Sequence, residues 1–420
     1  MSNAVNSLPM LERSKQLLMR AHECIPGCAQ TFSKGPGMFV QGVAPNFIAR
    51  GDGAYVWDVD ENRYIDYILG LGPVILGHAC RPVNEAVMDQ MSRGVCFSIP
   101  HEIEVEVSEM LREIIPCAEM VRFGKNGSDA TTGAVRLARA YTKRDKILCC
   151  GYHGWQDWFI GTTSRNLGVP EAVRNLTIPF AYNDLAGLKR LFDQHASEVA
   201  CVIMEPVNFT PPQQGYLPAV KELCHRNGAL LIFDEVVTGF RLHLGGAQAM
   251  LGVTPDLACF GKAMANGFPL SALVGRSEVM RLLEEVFFSF TFGGDTLGLA
   301  ACKATIHEMR KHNVISRQAQ VGQQLKDGTN RLLEDLNLQS RITCIGYPQW
   351  TTFSMKDAGG KPCTLLRSLF QQESLRRGLL THGSHLLSLA HTSAVVDETL
   401  GIYSEVFEII ADAIAANDVR

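Results

Sequence analysis

Three short apolar segments in the middle of the chain constrain its fold most. Ala200–Met204, Ala229–Phe233 and Leu257–Phe260 are nearly continuous apolar runs, and each ends at a polar or glycine position. Strands buried on both faces of a parallel sheet have this composition, whereas half-exposed strands alternate. The helical pattern of Ala219–Arg226 separates the first two runs. We therefore expect an α/β fold with a mostly parallel central sheet flanked by helices.

Charged residues follow the ends of these runs. They are Glu205, Asp234 and Lys262, separated by 29 and 28 positions, close to the roughly 30 residues of one strand–helix–strand unit. The carboxyl ends of parallel strands meet at one edge of a sheet, where open α/β sheets bind ligands. The spacing predicts that one site gathers all three side chains.

Composition narrows the class of protein. With 420 residues and 46% hydrophobic content, the chain can form a large domain and a smaller one. A formal net charge of -4 gives no basic surplus for phosphate backbones, so we expect no nucleic-acid partner. No run approaches the roughly 20 apolar residues of a membrane span, and Met1–Met10 lacks a leader pattern. The thirteen cysteines lack the spacing of zinc or redox motifs, so we expect reduced thiols, no metal site and a cytoplasmic protein.

The flanking regions predict the smaller domain. Ala54–Tyr67 has the pattern of a β-hairpin, and Val314–Leu333 that of an amphipathic helix, followed by short strands near Ile342 and Trp350. We predict three segments: an N-terminal segment with a small sheet at 1–70, a large domain at 71–307 and a C-terminal α+β region at 308–420. The first and third are expected to build the small domain together.

Lys262 follows an apolar strand and precedes the turn Asn266–Pro269. A lysine in such a place is poorly hydrated, and desolvation lowers the pKa of an ammonium and favours the amine that attacks an aldehyde. The alternative is a surface lysine at a strand end. Asp234 follows five apolar residues, where a carboxylate needs a cationic partner such as a protonated pyridine nitrogen. It could equally cap the next turn.

Two further features fit a cofactor with a ring and a phosphate. Gly127 and Ser128 stand at the start of a helical pattern, where free amides and the positive helix end form an anion site. Tyr152 offers an aromatic ring for stacking, although a core tyrosine is an equal alternative. Val236 would share the face of Asp234 if the chain stayed extended, and it would then contact a ring from the other side.

In this order the motifs resemble the class III aminotransferases of fold-type I, and most closely the branch that contains glutamate-1-semialdehyde 2,1-aminomutase. The resemblance spans nearly the whole chain. Its motifs are Ile25-Pro26-Gly27, Tyr55–Asp60 with Tyr64–Tyr67, Asn126-Gly127-Ser128, Tyr152-His153-Gly154, Glu205-Pro206, Asp234-Glu235-Val236 with Thr238–Arg241, Lys262 and Thr291–Gly294.

The resemblance implies a pyridoxal 5'-phosphate (PLP) enzyme, in which Lys262 forms a Schiff base and Asp234 binds the pyridine nitrogen. It also implies that Tyr152 and Val236 sandwich the ring and that Glu205 lies near its hydroxyl side. Gly127 and Ser128 would hold the phosphate. Thr291 would reach the phosphate of a neighbouring subunit, so the expected assembly is a homodimer with shared active sites.

The chain departs from the aminomutase pattern at residues expected to contact substrate. Lys34 stands where the aminomutase has a carboxylate-binding arginine, and lysine lacks the bidentate fork. Thr210 stands where relatives have asparagine or glutamate. Near the C-terminus, His382–His385 replaces a stretch that carries an acidic residue. Together with Thr31, these hydroxyl and imidazole groups would suit a hydroxylated or sugar-derived ketone or aldehyde.

The function expected from these residues is transamination between a small amino donor and a carbonyl acceptor. Intramolecular amino transfer by an aminomutase-like enzyme is the main alternative. Another PLP reaction, such as decarboxylation or racemisation, and a catalytically silent binding protein also remain open. The presence of both Lys262 and Asp234 argues against the silent protein.

Overall fold

A computed structural model describes residues 9–416 and residue 418. The described residues form two compact units, one running up to Cys80 and resuming at His312, the other comprising Arg81–Lys311. Residues 1–8, 417, 419 and 420, which belong to the predicted segments 1–70 and 308–420, lie outside the described residues. The second unit ends where a long helix ends, at Lys311.

The strands of the described chain are β1 (Ile48–Asp52), β2 (Tyr55–Asp58), β3 (Arg63–Asp66), β4 (Met120–Gly124), β5 (Lys146–Cys150), β6 (Thr177–Pro179), β7 (Val199–Met204), β8 (Leu230–Asp234), β9 (Leu257–Phe260), β10 (Ser271–Gly275), β11 (Ile342–Tyr347), β12 (Trp350–Met355), β13 (Leu379–Leu380) and β14 (Ser384–Leu386).

The α-helices are α1 (Glu12–Cys24), α2 (Arg81–Arg93), α3 (Glu102–Ile114), α4 (Gly127–Thr142), α5 (Asp157–Ile160), α6 (Glu171–Arg174), α7 (Leu185–Gln194), α8 (Tyr216–Arg226), α9 (Gly246–Leu251), α10 (Ser277–Met280), α11 (Thr296–Lys311), α12 (Val314–Asp335), α13 (Thr364–Arg376) and α14 (Ser393–Ala415). Short 3₁₀ turns lie at Pro26–Cys28, Phe32–Lys34, Pro36–Met38, Lys262–Ala265 and Arg281–Glu284. No described helix is long and apolar enough to cross a membrane.

A seven-stranded sheet in the order β4-β10-β9-β8-β7-β5-β6 organises the unit Arg81–Lys311. Strands β9, β8, β7, β5 and β6 pair in parallel, and β10 runs antiparallel to both of its neighbours. Every residue of β7, β8 and β9 is buried, which explains their continuous apolar composition. The prediction of a mostly parallel central sheet is confirmed.

Helix α4 covers one face of this sheet with small side chains. Ala130, Ala134, Leu137 and Ala138 are fully buried, at the spacing of one helix face. Small residues let the helix approach the sheet closely, and this fixes where its first turn lies. The start of α4 therefore has a firmly packed base.

The other unit contains the predicted hairpin. Strands β2 and β3 pair antiparallel, in a four-stranded sheet ordered β1-β2-β3-β13. Strands β11, β12 and β14 form a second, three-stranded sheet. Helices α12, α13 and α14 contribute side chains to the hydrophobic core of this unit. This core includes Leu325, Phe370, Tyr403 and Phe407. The helix predicted over 314–333 and the strands predicted near 342 and 350 are confirmed.

Candidate active site

The polar ends of β7, β8 and β9 meet at one edge of the central sheet. Met204 pairs with Phe233, and Asp234 pairs with Cys259. Glu205 and Lys262 therefore follow strands on either side of Asp234. Electrostatic interactions connect all three side chains, since Asp234 and Glu205 both act on the charge of Lys262. The predicted gathering of these residues is confirmed, while their chemical roles stay predictions.

The amine of Lys262 lies in a poorly hydrated place. Lys262 has a φ of 42° and starts the 3₁₀ turn Lys262–Ala265, which follows β9. Burial lowers the pKa of Lys262, and the nearby buried guanidinium of Arg241 lowers it further, while Asp234 and Glu205 oppose the shift. A lowered pKa increases the fraction of neutral amine. This environment differs from that of the surface lysine that was the alternative.

The carboxylate of Asp234 is held at both oxygens. Oδ2 lies 2.8 Å from Nδ1 of His153, and both side chains are buried. Oδ1 accepts a hydrogen bond of 3.1 Å from the amide of Val236. Asp234 therefore caps the following turn with one oxygen and pairs with an imidazole through the other. A buried carboxylate with these contacts has a fixed orientation.

Val236 lies on a turn, so the expectation of an extended chain after Asp234 is wrong. The chain bends because Asp234 Oδ1 binds the amide two residues later. The Val236 side chain nevertheless faces the start of α4. A Cβ atom on Gly127 would lie 2.9 Å from Val236 Cγ1, and one on Gly261 would lie 3.5 Å from it. Glycine at 127 is required for this close approach.

Tyr152 is 62% exposed, which rules out the core tyrosine that was the alternative. Its ring contacts Phe159 edge-on, with the centroids 5.5 Å apart. The motif continues at Gly154, which has a φ of 110° and whose Cβ would collide with Ser128. The Tyr152–Gly154 turn thus lies directly against the start of α4.

The start of α4 carries groups that can bind an anion. The first amides of a helix have no partner within it and carry the positive end of the helix dipole. Gly127 and Ser128 occupy these positions. Ser128 Oγ accepts a hydrogen bond of 3.3 Å from the amide of Trp155, and Thr131 Oγ1 donates to the carbonyl of His153 at 2.8 Å. The amides, the hydroxyl and the turn are thus tied together.

Glu205 is a second acidic group in the site. Burial raises its pKa to about 8, and the negative charge of Asp234 contributes to the shift. Lys262 and the backbone of Tyr152 act in the opposite direction. The side chain lies against Gly151, where a Cβ would be 2.7 Å from Glu205 Oε2. The raised pKa favours the protonated form of Glu205 near neutral pH.

The remaining predicted site residues lie outside the strands and α-helices. Thr291 is exposed, and its carbonyl is 3.9 Å from the thiol of Cys96. Thr210 is exposed, and its amide donates to the side chain of Asn208 at 2.7 Å. Thr31 and Lys34 are exposed residues of the other unit. The substrate roles of Thr31, Lys34 and Thr210 stay predictions.

The idea that His385 contacts a substrate is wrong. This residue lies on β14 with its side chain buried in the core. Its Nδ1 is 2.7 Å from Thr351 Oγ1, and its Nε2 is 2.5 Å from the hydroxyl of Tyr403. Burial lowers its pKa to about 3, so the ring is neutral. His385 is a core residue with both ring nitrogens engaged.

Sequence reasoning missed the roles of His153 and Arg241. Both belonged to recognised motifs, but nothing connected His153 to an aspartate 81 positions away. Arg241 is 1% exposed, and burial lowers its pKa to about 10. A charged residue inside the apolar motif Thr238–Leu242 was the available signal, since a buried guanidinium needs a structural or functional reason.

Comparisons with known proteins agree with this geometry. The profile of the family "Aminotransferase class-III" matches residues 39–414. The chain is 38% identical to 3-aminobutyryl-CoA aminotransferase of Cloacimonas acidaminovorans over 83% of this chain and 85% of that protein. It is 36% identical to glutamate-1-semialdehyde 2,1-aminomutase of Roseiflexus castenholzii over 96% of this chain and 98% of the relative.

Solved structures show the same fold. The PLP internal aldimine form of the FumI protein of Sphingopyxis sp. MTA144 superposes with a TM-score of 0.90, at 30% identity over 96% of this chain and 97% of that one. An omega-transaminase from Sphaerobacter thermophilus gives a TM-score of 0.86, at 27% identity over 94% and 97%. This chain belongs to the class III aminotransferases and is a PLP-dependent enzyme with the fold-type I architecture.

Proposed function

We propose that this enzyme is a transaminase that moves an amino group from a small amino donor to a carbonyl acceptor, using Lys262 as the residue bonded to PLP. The observation that carries the proposal is the placement of Lys262. Its amine has a lowered pKa and lies at the strand edge that also holds Asp234 and Glu205. A lowered pKa favours the neutral amine, which can attack an aldehyde and later accept a proton.

The residues present fit PLP. Asp234, held by His153 and by the amide of Val236, presents a buried carboxylate that needs a cation such as the pyridine nitrogen. The exposed Tyr152 and the Val236 side chain can bind the two faces of a ring. Gly127 and Ser128 would hold the phosphate at the start of α4. When bound, PLP supplies an aldehyde that carries the amino group and a protonated ring that withdraws electrons.

Each residue of the site would then have its own chemical role. Lys262 Nζ would accept the α-proton of the donor and hold it for return during the transfer. Asp234 would hold the pyridine nitrogen in its protonated form, and His153 would fix the direction of that carboxylate. The raised pKa of Glu205 favours its protonated form, which could donate a hydrogen bond toward the hydroxyl side of the ring.

The proposal includes a homodimer in which Thr291 of one subunit reaches the phosphate site of the other. Exposed apolar side chains support an interface around Thr291: Phe292 is 60% exposed, and Phe97 and Ile99 are also exposed. Contiguous exposed apolar surface marks interaction sites. We also propose a cytoplasmic location, which suits the thirteen cysteines, all of them free thiols and most of them buried.

Two readings of the acceptor have support. Thr31 and Thr210 support a hydroxylated or sugar-derived ketone or aldehyde. Similarity to glutamate-1-semialdehyde 2,1-aminomutases supports intramolecular transfer as the alternative, although Lys34 lacks the arginine fork expected for that substrate.

Half-reactions separate these possibilities. Purified enzyme is mixed with a panel of amines and amino acids, and conversion of the cofactor is followed by absorbance, then reversed with a panel of carbonyl compounds. A transaminase completes each half with separate molecules, and Lys262→Ala is the inactive control. Conversion only with a diamino or amino-aldehyde compound, with isomerisation as the net result, would instead indicate an aminomutase. No conversion with any donor would contradict both functions.

A further inference from the structure

Lys125 immediately precedes the Asn126-Gly127-Ser128 turn, and its side chain links this turn to two other segments. Its Nζ lies 2.5 Å from Asp295 Oδ2 and 3.4 Å from the carbonyl of Pro269. The Lys125 and Asp295 side chains are only 15% and 14% exposed. Removing one partner of such a pair is destabilising, because the other charge is then left largely buried and unpaired.

The backbone around Lys125 is fixed as well. The amides of Lys125 and Asn126 both donate to Asp129 Oδ2, at 2.9 and 2.8 Å. This carboxylate closes the turn that leads into α4. Lys125 is therefore held at its backbone by α4 and at its ammonium by distant segments.

One of the two distant segments follows Lys262, and the other carries Thr291, which is proposed to reach the phosphate site of the partner subunit. Pro269 ends the turn that follows the 3₁₀ segment starting at Lys262. Asp295 follows Thr291–Gly294, and its Oδ1 accepts a hydrogen bond of 3.2 Å from the amide of Leu297 at the start of α11. The ammonium of Lys125 thus connects three segments. They are the Asn126-Gly127-Ser128 turn, the turn that follows Lys262, and the segment from Thr291 to Asp295.

Apolar contacts also join the segment that carries Asp295 to β4 and α4. A Cβ on Gly124 would lie 3.5 Å from the ring of Phe290, and one on Gly133 would lie 2.9 Å from the ring of Phe288. The segment from Phe288 to Asp295 therefore runs alongside β4 and the first turns of α4. The ion pair between Lys125 and Asp295 attaches this segment to the residues that precede α4.

We propose that Lys125 is a positioning residue, which holds the Asn126-Gly127-Ser128 turn in the geometry that receives the phosphate of PLP. This inference rests on the proposed function of that turn. Asp295 neutralises the ammonium, so Lys125 acts by placing the amides of Gly127 and Ser128 and not by adding net charge. Loss of Lys125 should therefore weaken the binding of a ligand that carries the phosphate. It should not weaken the binding of a ligand that lacks the phosphate.

The test compares PLP with pyridoxal, which has the same ring and aldehyde but no phosphate. Full-length enzyme and Lys125→Met are dialysed to equilibrium against graded concentrations of each ligand, and bound ligand is read by absorbance. We expect the PLP dissociation constant to rise roughly five- to a hundredfold, the range of typical coupling between sites. The pyridoxal dissociation constant should change by less than about threefold, near the limit of a neutral surface change.

Matched variants separate positioning from general damage. Lys303→Met removes another lysine of the same unit, whose Nζ pairs with Glu106 Oε2 at 2.8 Å, and it should leave both ligands unaffected. The double variant Lys125→Met with Asp295→Asn leaves no unpaired charge and keeps an oxygen to cap α11. It should recover the melting temperature that Lys125→Met loses, yet retain the selective loss of PLP affinity. If Lys125→Met does not fold, this double variant gives the ligand comparison.

Equal losses for PLP and pyridoxal, or no loss for either, would overturn the role of Lys125. Failure of the proposed function looks different, because the wild-type enzyme itself would then show no PLP bound to Lys262.

Discussion

Nδ1 of His153 lies 2.8 Å from Oδ2 of Asp234, and both side chains are buried. The His153 ring is nearly parallel to that of Trp158, at 13°, and Phe159 contacts it edge-on. Among the described residues, Nε2 of His153 has no hydrogen-bond partner. A neutral ring therefore keeps its proton on Nδ1, where it donates to Asp234. The imidazole orients the carboxylate that we assign to the pyridine nitrogen.

Replacement of His153 by leucine should leave Asp234 without this donor. Because a hydrogen bond to a charged group contributes roughly 1.5–3 kcal/mol, the single-turnover deamination rate should fall roughly ten- to a hundredfold. The matched control is His225→Leu, which removes another histidine–aspartate pair of the same unit, with Nε2 3.0 Å from Asp256 Oδ2. Equal rates for His153→Leu and wild type at full cofactor occupancy would contradict the orienting role.

Asp234→Asn tests the carboxylate itself. An amide cannot stabilise a protonated ring nitrogen as a carboxylate does. Stopped-flow measurement of the first half-reaction should show a decrease of about 10²- to 10³-fold, the range for loss of one preorganised electrostatic group. An unchanged rate with full occupancy would show that Asp234 does not serve the ring.

Glu205 predicts a pH dependence of stability for protein freed of cofactor. Its folded pKa is raised from 4.5 to about 8, so the folded state binds more protons than the unfolded state between these values. The free energy of unfolding should therefore fall as pH rises from about 5 to 8. Urea titrations should show a smaller decrease for Glu205→Gln.

Glu119 provides the control for this experiment. Hydrogen bonds from the amide and hydroxyl of Ser277 lower the pKa of Glu119 below 4.5, so its contribution to stability changes only at more acidic pH. Glu119→Gln should keep the wild-type slope from pH 5 to 8. A Glu205→Gln slope identical to wild type would mean that Glu205 is ionised in the folded protein.

Mixed dimers test whether Thr291 serves the partner's site. Thr291→Val should weaken PLP binding about ten- to a hundredfold, since a hydrogen bond to a charged group contributes roughly 1.5–3 kcal/mol. When Lys262→Ala and Thr291→Val subunits pair, a shared site concentrates both changes in one pocket and leaves the other pocket wild type. Recovered activity supports sharing. Verified mixed dimers with no recovery would show that Thr291 serves its own subunit.

The predictable part of this structure was the part governed by burial. Every side chain of β7, β8 and β9 is buried, so their apolar composition indicated a parallel sheet. The spacing of 29 and 28 positions between Glu205, Asp234 and Lys262 indicated a common edge. The start of α4 was visible because glycine and serine preceded a regular helical pattern. Both features depend on residues close together in the sequence.

Pairings across long sequence distances were not predictable. Lys125 and Asp295 are 170 positions apart, and no local pattern indicates their ion pair. His385 could be mistaken for a loop residue because its burial depends on Thr351 and Tyr403, which lie on other elements. The chain is not extended at Val236, because the amide of Val236 donates a hydrogen bond to Asp234 Oδ1.

The central claim is that Lys262 is the residue bonded to PLP, and borohydride reduction tests it most directly. Purified enzyme is reduced, digested and mapped by mass spectrometry, with Lys262→Ala treated in parallel. We predict one reduced pyridoxyl-phosphate label, on Lys262, and none in the variant, because burial lowers the pKa of this amine and so favours the form that bonds to an aldehyde. A label on Lys125 or Lys303, or an unlabelled wild-type enzyme that is saturated with PLP, would contradict the account.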